Sequence, residues 1–314
     1  MLNNSQNVWV TGARGFIGKH LLAYLALKGY IVSGIGHGTF SEPEAKQLGV
    51  NRWLNGDISL SNLQNLCESV GRPSVIYHLA GGSSVGLSYQ NPYEDFCRTV
   101  ESSAQLFEWV RLYSPDTKVV CVSSAAVYGA QYNDNITENY LISPYSPYGT
   151  HKSIMEKIAQ SYADNFGINV AVVRFFSIYG AGLQKQLIWD LCHKLSISMG
   201  KPVILGGTGE ELRDWLHVSD AVCLLELVGN SEKSHYTIIN GGTGCATSVR
   251  NIANMVCAAW GGTSSRVEFN GQSRVGDPFS LVACCEKAAK LGFAPRTDLT
   301  TGLNETVAWF KAKI

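Results

Sequence analysis

The chain has 314 residues, 45% of them hydrophobic and 16% charged, and its formal net charge is zero. That balance suits a globular protein of one large or two modest domains, and without a polybasic run it offers nucleic acid or a membrane surface no electrostatic handle. Nine dispersed cysteines with no CxxC pair argue against a disulfide framework or a zinc site, and no His/Asp/Glu cluster has the spacing of a metal site. No run of about 18 uncharged apolar residues could span a bilayer. The opening MLNNSQNVWV lacks the charged and apolar regions of a signal peptide. A cytoplasmic protein is expected.

In chain order, NVWVTG reads as a strand and GFIGKHLLAYLALKG as a helix, with Ile17, Leu21 and Leu25 on one face and Gly29 closing it. Gly12, Gly15 and Gly18 join the two. In a strand–loop–helix context this spacing is a phosphate-binding turn. The first glycine permits the turn, the second admits a pyrophosphate close to the backbone, and the third lets the helix pack on the strand. The pyrophosphate would sit on the free N–H groups at the helix start.

YIVSGIG is the second strand. An NAD site places an acid at its end, about 20 residues past the glycines, to bond the ribose hydroxyls. None lies between Gly29 and Phe40. Arg14 and His37 are cationic candidates for a 2′-phosphate, which favours NADP(H) over NAD(H). VNRWLNGDIS is a short third strand, where Asp57 contacts the adenine edge or caps the next helix.

SVIYHLAG, KVVCVSSAAVYG and NVAVVRFFSIYG are the fourth, fifth and sixth strands, with helices over Pro92 to Tyr113 and Tyr148 to Phe166. This alternation predicts an α/β fold: a Rossmann-type, doubly wound parallel sheet covered by helices on both faces. Past residue 180 the elements shorten, which predicts a smaller C-terminal α/β substrate domain. The expected division is 1–178 and 179–314, with parts of the second, such as 215–235, able to return to the first.

Ser124 ends the fifth strand. Tyr148 and Lys152 are four apart and share a helix face. An ammonium near a phenol favours the phenolate, drawing a tyrosine down from about 10 towards an acid–base range. The Ser124 hydroxyl can hold a carbonyl or alcohol oxygen beside it. The three form a proton-transfer site next to a hydride carrier.

At this point the chain resembles an extended short-chain dehydrogenase/reductase of the nucleotide-sugar epimerase/dehydratase family. The likeness runs through TGARGFIG, GDIS, HLAGGSSVGLSYQNP, VSSAAVYG, SPYGTHK, RFFSIYG, RDWLHVSDA, NGGTG and RVGDP in family order. The resemblance implies catalysis by Ser124, Tyr148 and Lys152, with Phe16, Ile17, Ile58, Leu79, Ala80, Gly81 and Ser123 joining the glycines at the cofactor. It implies a nucleoside-diphosphate sugar held by Ser83, Ser84, Val85, Ser124 and Ser177, with Arg213 and Arg274 as diphosphate clamps. A guanidinium can grip phosphate oxygens through two parallel bonds. It also implies a homodimer through a four-helix bundle using the helices from about 92 and 148, and a place in making cell-surface polysaccharide precursors.

Departures from the family pattern narrow the reaction. Family dehydratases carry Asp-Glu directly after the active-site hydroxyl, where this chain has Ala125 and Ala126. Neither can move a proton, so a 4,6-dehydratase is disfavoured. Ser177 and Thr99 stand where the family often has asparagine. The leading expectation is an NAD(P)-dependent reductase of a nucleoside-diphosphate 4-keto-6-deoxy sugar, with Tyr148 as general acid. The alternative is a nucleotide-sugar 4-epimerase with tightly bound NAD. A non-catalytic dinucleotide-binding protein ranks third. His78 is expected to be a core histidine, His217 either to stack or to be structural, and His151 to carry no chemistry. Tyr179, Trp189 and Trp215 are candidates to line the sugar or base pocket.

Overall fold

The computed structural model describes residues 6–198, 200–232, 234–261, 267–272 and 277–314. The first half alternates strands and helices. In order these are β1 (Asn7–Thr11), α1 (Phe16–Leu27), β2 (Ile31–Gly36), α2 (Glu42–Gln47), β3 (Val50–Asn55), α3 (Leu60–Val70) and β4 (Val75–His78). Next come α4 (Val85–Gln90), α5 (Pro92–Phe96), a π-helical turn over Cys97–Glu101 and α6 (Ser102–Tyr113). Then follow β5 (Lys118–Ser124), β6 (Asn135–Ile136), α7 (Pro147–Phe166), β7 (Val170–Phe175) and β8 (Ser177–Tyr179). The remainder holds α8 (Gln186–Ile197), β9 (Val203–Leu205), β10 (Leu212–His217), α9 (Val218–Asn230), β11 (Tyr236–Gly241) and β12 (Ala246–Ser248). It ends with α10 (Val249–Trp260), β13 (Val267–Phe269), β14 (Ser280–Ala283), α11 (Glu286–Lys290) and α12 (Leu299–Lys313).

Seven strands form one parallel sheet in the order β11-β7-β5-β4-β1-β2-β3. The strand order reverses direction between β1 and β4, and such switch points open a ligand crevice at the carboxyl ends of the strands. The central strands are buried on both faces. Val8, Val10, Val120 and Val173 pack with α1 and α9 on one side. Trp9, Ile76, Val119 and Val172 pack with α3, α6 and α7 on the other.

The sixth predicted strand is two. β7 stays in the first sheet, whereas β8 leaves it after Phe176 and pairs in parallel with β10. The chain therefore crosses between layers at the mouth of the cleft. A second sheet runs β12-β10-β14-β6, with β8 pairing β10 off that path. After β10 the chain returns: α9 packs beside α1, and β11 becomes the outermost strand of the first sheet. Among the described residues no helix is long and apolar enough to cross a membrane.

Candidate active site

The carboxyl ends of β1, β2, β4 and β5 open into a cleft of about 1060 Å³ that reaches β8 and β10 of the second layer. Its floor is the glycine turn. Gly12 has φ +66, and an added Cβ would stand 2.7 Å from the backbone nitrogen of Ala80. A Cβ on Gly18 would stand 2.6 Å from the Gly12 carbonyl oxygen, so any side chain there would push α1 off the turn. Gly15 precedes α1 with extended backbone, no side-chain cap and no acid in the first turn. The first N–H groups of α1 are thus left for an anion. Phe16, Ile17, Ile58, Leu79, Ala80 and Gly81 all border the same cleft. These residues fit a dinucleotide, with the turn cradling its pyrophosphate.

The adenosine end differs from the sequence expectation. Arg14 does not line the cleft. Its guanidinium lies 5.4 Å from the Phe40 ring centroid, drawn onto the aromatic face. His37 does line it, but its Nε2 stands 2.6 Å from Asp57 Oδ1. Asp57 is not the helix cap, because Ser59 takes that role by accepting from the Asn62 N–H. An exposed carboxylate thus stands beside His37, while the Arg14 guanidinium lies against the neighbouring Gly38.

At the catalytic end, Ser146 caps α7 and Pro147 opens it, which fixes Tyr148 and Lys152 one turn apart on its first two turns. Ser124 lies at the end of β5, where its hydroxyl accepts from the Ala126 N–H at 3.2 Å and faces Tyr148. Lys152 is 3% exposed and donates to the Val122 carbonyl at 2.9 Å. Its ammonium sits 5.9 Å from the Tyr148 ring centroid. The expected downward shift of the tyrosine is not what the fold produces. Burial raises the Tyr148 pKa, and the neighbouring Ser124 hydroxyl offsets only part of it. Burial also pushes Lys152 down, to about 8. Ala125 and Ala126 line the cleft beside Ser124.

Other expected residues divide. Ser83, Ser84, Val85, Ser177 and Arg213 line the cleft. The Ser84 hydroxyl is also spent as the cap of α4. Arg213 donates to the Leu212 carbonyl at 2.8 Å, and burial lowers its pKa. Arg274 lies outside the described residues. Ser123 borders the cleft, yet its hydroxyl turns away and donates to Glu156 at 2.5 Å. His78 bridges Thr11 and Ser103 in the core, and burial holds its pKa down to about 3. His217 caps α9 and packs edge-on against Tyr179. Tyr179, Trp189 and Trp215 belong to the apolar core of the second layer rather than to the cleft.

Sequence reading missed several residues. Glu156 lies eight positions after Tyr148 on the same buried stripe of α7, and its spacing could have revealed it. It pairs with buried Arg174 at 2.6 Å, and Arg174 in turn reaches the Tyr128 hydroxyl at 2.9 Å. Lys185 reaches across the cleft to the Ser83 carbonyl at 2.6 Å. Next to it Gln186, with φ +68, is the only non-glycine residue at positive φ among the described residues. No local pattern announces such contacts between distant segments.

This cleft agrees with the comparisons. The model of the NAD dependent epimerase/dehydratase family matches residues 8–242. The chain belongs to that family. It is 28% identical to a UDP-glucose 4-epimerase of Corynebacterium glutamicum over 319 residues, covering 96% of this chain and 95% of that one. Among solved structures it superposes on MoeE5 in complex with UDP-glucuronic acid and NAD with a TM-score of 0.86. That match has 31% identity and covers 98% of this chain and 100% of the other. The UDP-glucose 4-epimerase of Thermotoga maritima with UDP-glucose gives a TM-score of 0.87 at 25% identity, covering 98% and 99%. Membership makes the chain an NAD-dependent enzyme of nucleotide-sugar chemistry, with a Rossmann-like parallel sheet.

Proposed function

We propose that the protein is a nucleotide-sugar 4-epimerase that keeps NAD bound through its cycle. The observation that carries this reading is the hydride-and-proton centre of Ser124, Tyr148 and Lys152, beside which Ala125 and Ala126 offer no second acid or base. Such a centre can oxidise and re-reduce one carbon but cannot eliminate water. The UDP-sugar 4-epimerases among its relatives support the same choice over a 4-ketoreductase. The His37–Asp57 pair favours NAD over NADP, since a 2′-phosphate would meet a carboxylate there.

A bound nicotinamide supplies the acceptance and return of hydride at C4. The chain's own groups do the rest. Ser124 holds the O4 oxygen and Tyr148 takes its proton. Lys152, fixed by the Val122 carbonyl, presents its ammonium beside the phenol and to a ribose hydroxyl. Tyr148 then returns the proton as the carbonyl is reduced. Inversion requires the sugar to offer its other face, and a cleft of about 1060 Å³ leaves room to turn. Arg213 would grip the diphosphate as the sugar moves. The protein would act as a homodimer through the outer faces of α5, α6 and α7.

A second reading, a reductase that exchanges its cofactor each turnover, keeps one support: β2 ends at Gly36 with no carboxylate for the ribose. Denaturing the purified protein and identifying what it releases separates the two. Stoichiometric NAD, with C4 interconversion of UDP-glucose or UDP-glucuronic acid, is the expected result. An empty protein that binds NADPH and consumes it on a 4-keto sugar would replace the epimerase with the reductase.

A further inference from the structure

The catalytic helix carries a histidine directly before its lysine, and the sequence gives that histidine no task. In the fold His151 Nδ1 stands 2.6 Å from Asp95 Oδ2, with both side chains nearly buried. An ionised carboxylate only accepts, so the imidazole donates. Phe96 packs edge-on against the His151 ring at 5.6 Å. The other carboxylate oxygen of Asp95 presses on Gly82, where an added Cβ would collide with it. One residue earlier, a Cβ on Gly81 would stand 3.0 Å from Lys152 Nζ and 3.3 Å from Thr99 Oγ1. Thr99 completes the frame by accepting from the Gly82 N–H at 2.7 Å. It does so from within the π-helical turn, a distortion that recurs at functional sites. The Asp95–His151 couple and the catalytic lysine thus bear on the same two-glycine strip.

We propose that Asp95 and His151 form a positioning couple: Asp95 sets a negative charge behind the Gly81–Gly82 strip, His151 holds and screens it, and Tyr148 and Lys152 work in its field. The proposal rests on Tyr148 being the acid–base group of the reaction put forward above.

Few other groups compete. Ser124 on β5 faces Tyr148, and Cys121 on the same strand and His78 on β4 face Lys152. Glu156 lies one turn beyond Lys152 but is matched by Arg174. Arg98 and the exposed Glu101 border the same cleft, where Arg98 pairs with Glu94. That leaves Asp95 as the acid whose charge reaches both catalytic groups, opposing ionisation of Tyr148 and favouring the ammonium of Lys152.

The test is a pair of variants read by pH. Asp95→Asn removes the charge, so the limb of the rate profile governed by Tyr148 moves to lower pH by on the order of half a unit. His151→Gln keeps a donor and the acid, so that limb does not move to lower pH. Asp95→Ser carries the same expectation as Asp95→Asn where the latter fails to fold. The profile is taken from sugar-driven reduction of bound NAD in a single turnover. A second readout needs no substrate: the phenolate absorbance difference between each variant and its Tyr148→Phe counterpart. If no nucleotide sugar reduces the cofactor at any pH, the functional reading fails and the phenolate titration alone decides the couple. A Tyr148 titration unmoved by Asp95→Asn, or lowered equally by both variants, overturns the proposal.

Discussion

At the scale of single residues, burial works against ionisation of the two groups to which the proposed reaction gives its proton chemistry. It raises Tyr148, which keeps the phenol protonated, and lowers Lys152, which sheds its proton at a lower pH than a free lysine. Tyr148→Phe keeps the ring and loses the proton. Turnover should fall by about 10²–10⁴-fold while bound NAD stays at wild-type stoichiometry; a variant with normal turnover would remove Tyr148 from the mechanism. Lys152 gives a pH signature in stability. Its folded pKa is about 8 against an ordinary value of 10.5. Below pH 8 both folded and unfolded chains carry the ammonium, and the cost of burying it is present in full. Between about 8 and 10.5 the unfolded chain holds the proton that the folded one has shed, so stability rises with pH, and above that window the cost is gone. Lys152→Met never carries this cost. Its stability gain over the wild type should be largest near pH 7 and shrink by pH 10. Denaturant melts at the two pH values measure this, and a gain constant with pH would contradict the burial assigned to the lysine.

At the scale of elements, α7 shows what a sequence makes legible. Its start was readable from Ser-Pro, and the four-residue spacing of Tyr148 and Lys152 from helical periodicity. The same stripe continues to Glu156, and reading it one turn further would have predicted a buried acid in need of a cation. That cation, Arg174, sits on β7 and could not be assigned from spacing, because only the strand order β5-β7 brings it under the helix. The pair lies beneath the catalytic turns of α7 and takes the Ser123 hydroxyl as well. Glu156→Leu strands a buried guanidinium and should cost about 3–5 kcal/mol in denaturant melts. Adding Arg174→Met to it should recover most of that loss, since the unmatched charge goes with it. A double variant as unstable as the single one would mean that the network is needed for shape rather than charge balance. Arg14 makes the converse point. Its place in the glycine turn suggested a phosphate, and no spacing could show that its guanidinium would lie between Gly38 and the Phe40 ring, 26 residues on.

At the scale of the whole molecule, most of the first sheet was legible because β1, β2, β4, β5 and β7 are largely apolar runs next to a turn signal or a helix, while polar-rich β3 was placed by its position between two helices. The second layer was not. Its strands are two to six residues long, and they gain their hydrogen bonds only from partners far away in the chain. The passage of the chain from β7 to β8 cannot be seen in NVAVVRFFSIYG, which is apolar throughout. The outer surface carries a further consequence. Tyr93 at the start of α5 is 79% exposed and Phe166 at the end of α7 is 51% exposed, with Leu112 and Tyr113 also open at the end of α6. Exposed large apolar groups on α5, α6 and α7 are costly in water, and a second copy packed against these helices would cover them. The purified protein should therefore sediment as a dimer at micromolar concentration. Tyr93→Lys together with Phe166→Lys should shift it towards monomer, with unchanged circular dichroism and with NAD still bound, because neither residue lines the cleft. A wild-type protein that sediments as a monomer across that range would leave this face without the partner proposed for it. A double variant that stays dimeric would move the interface elsewhere on the surface.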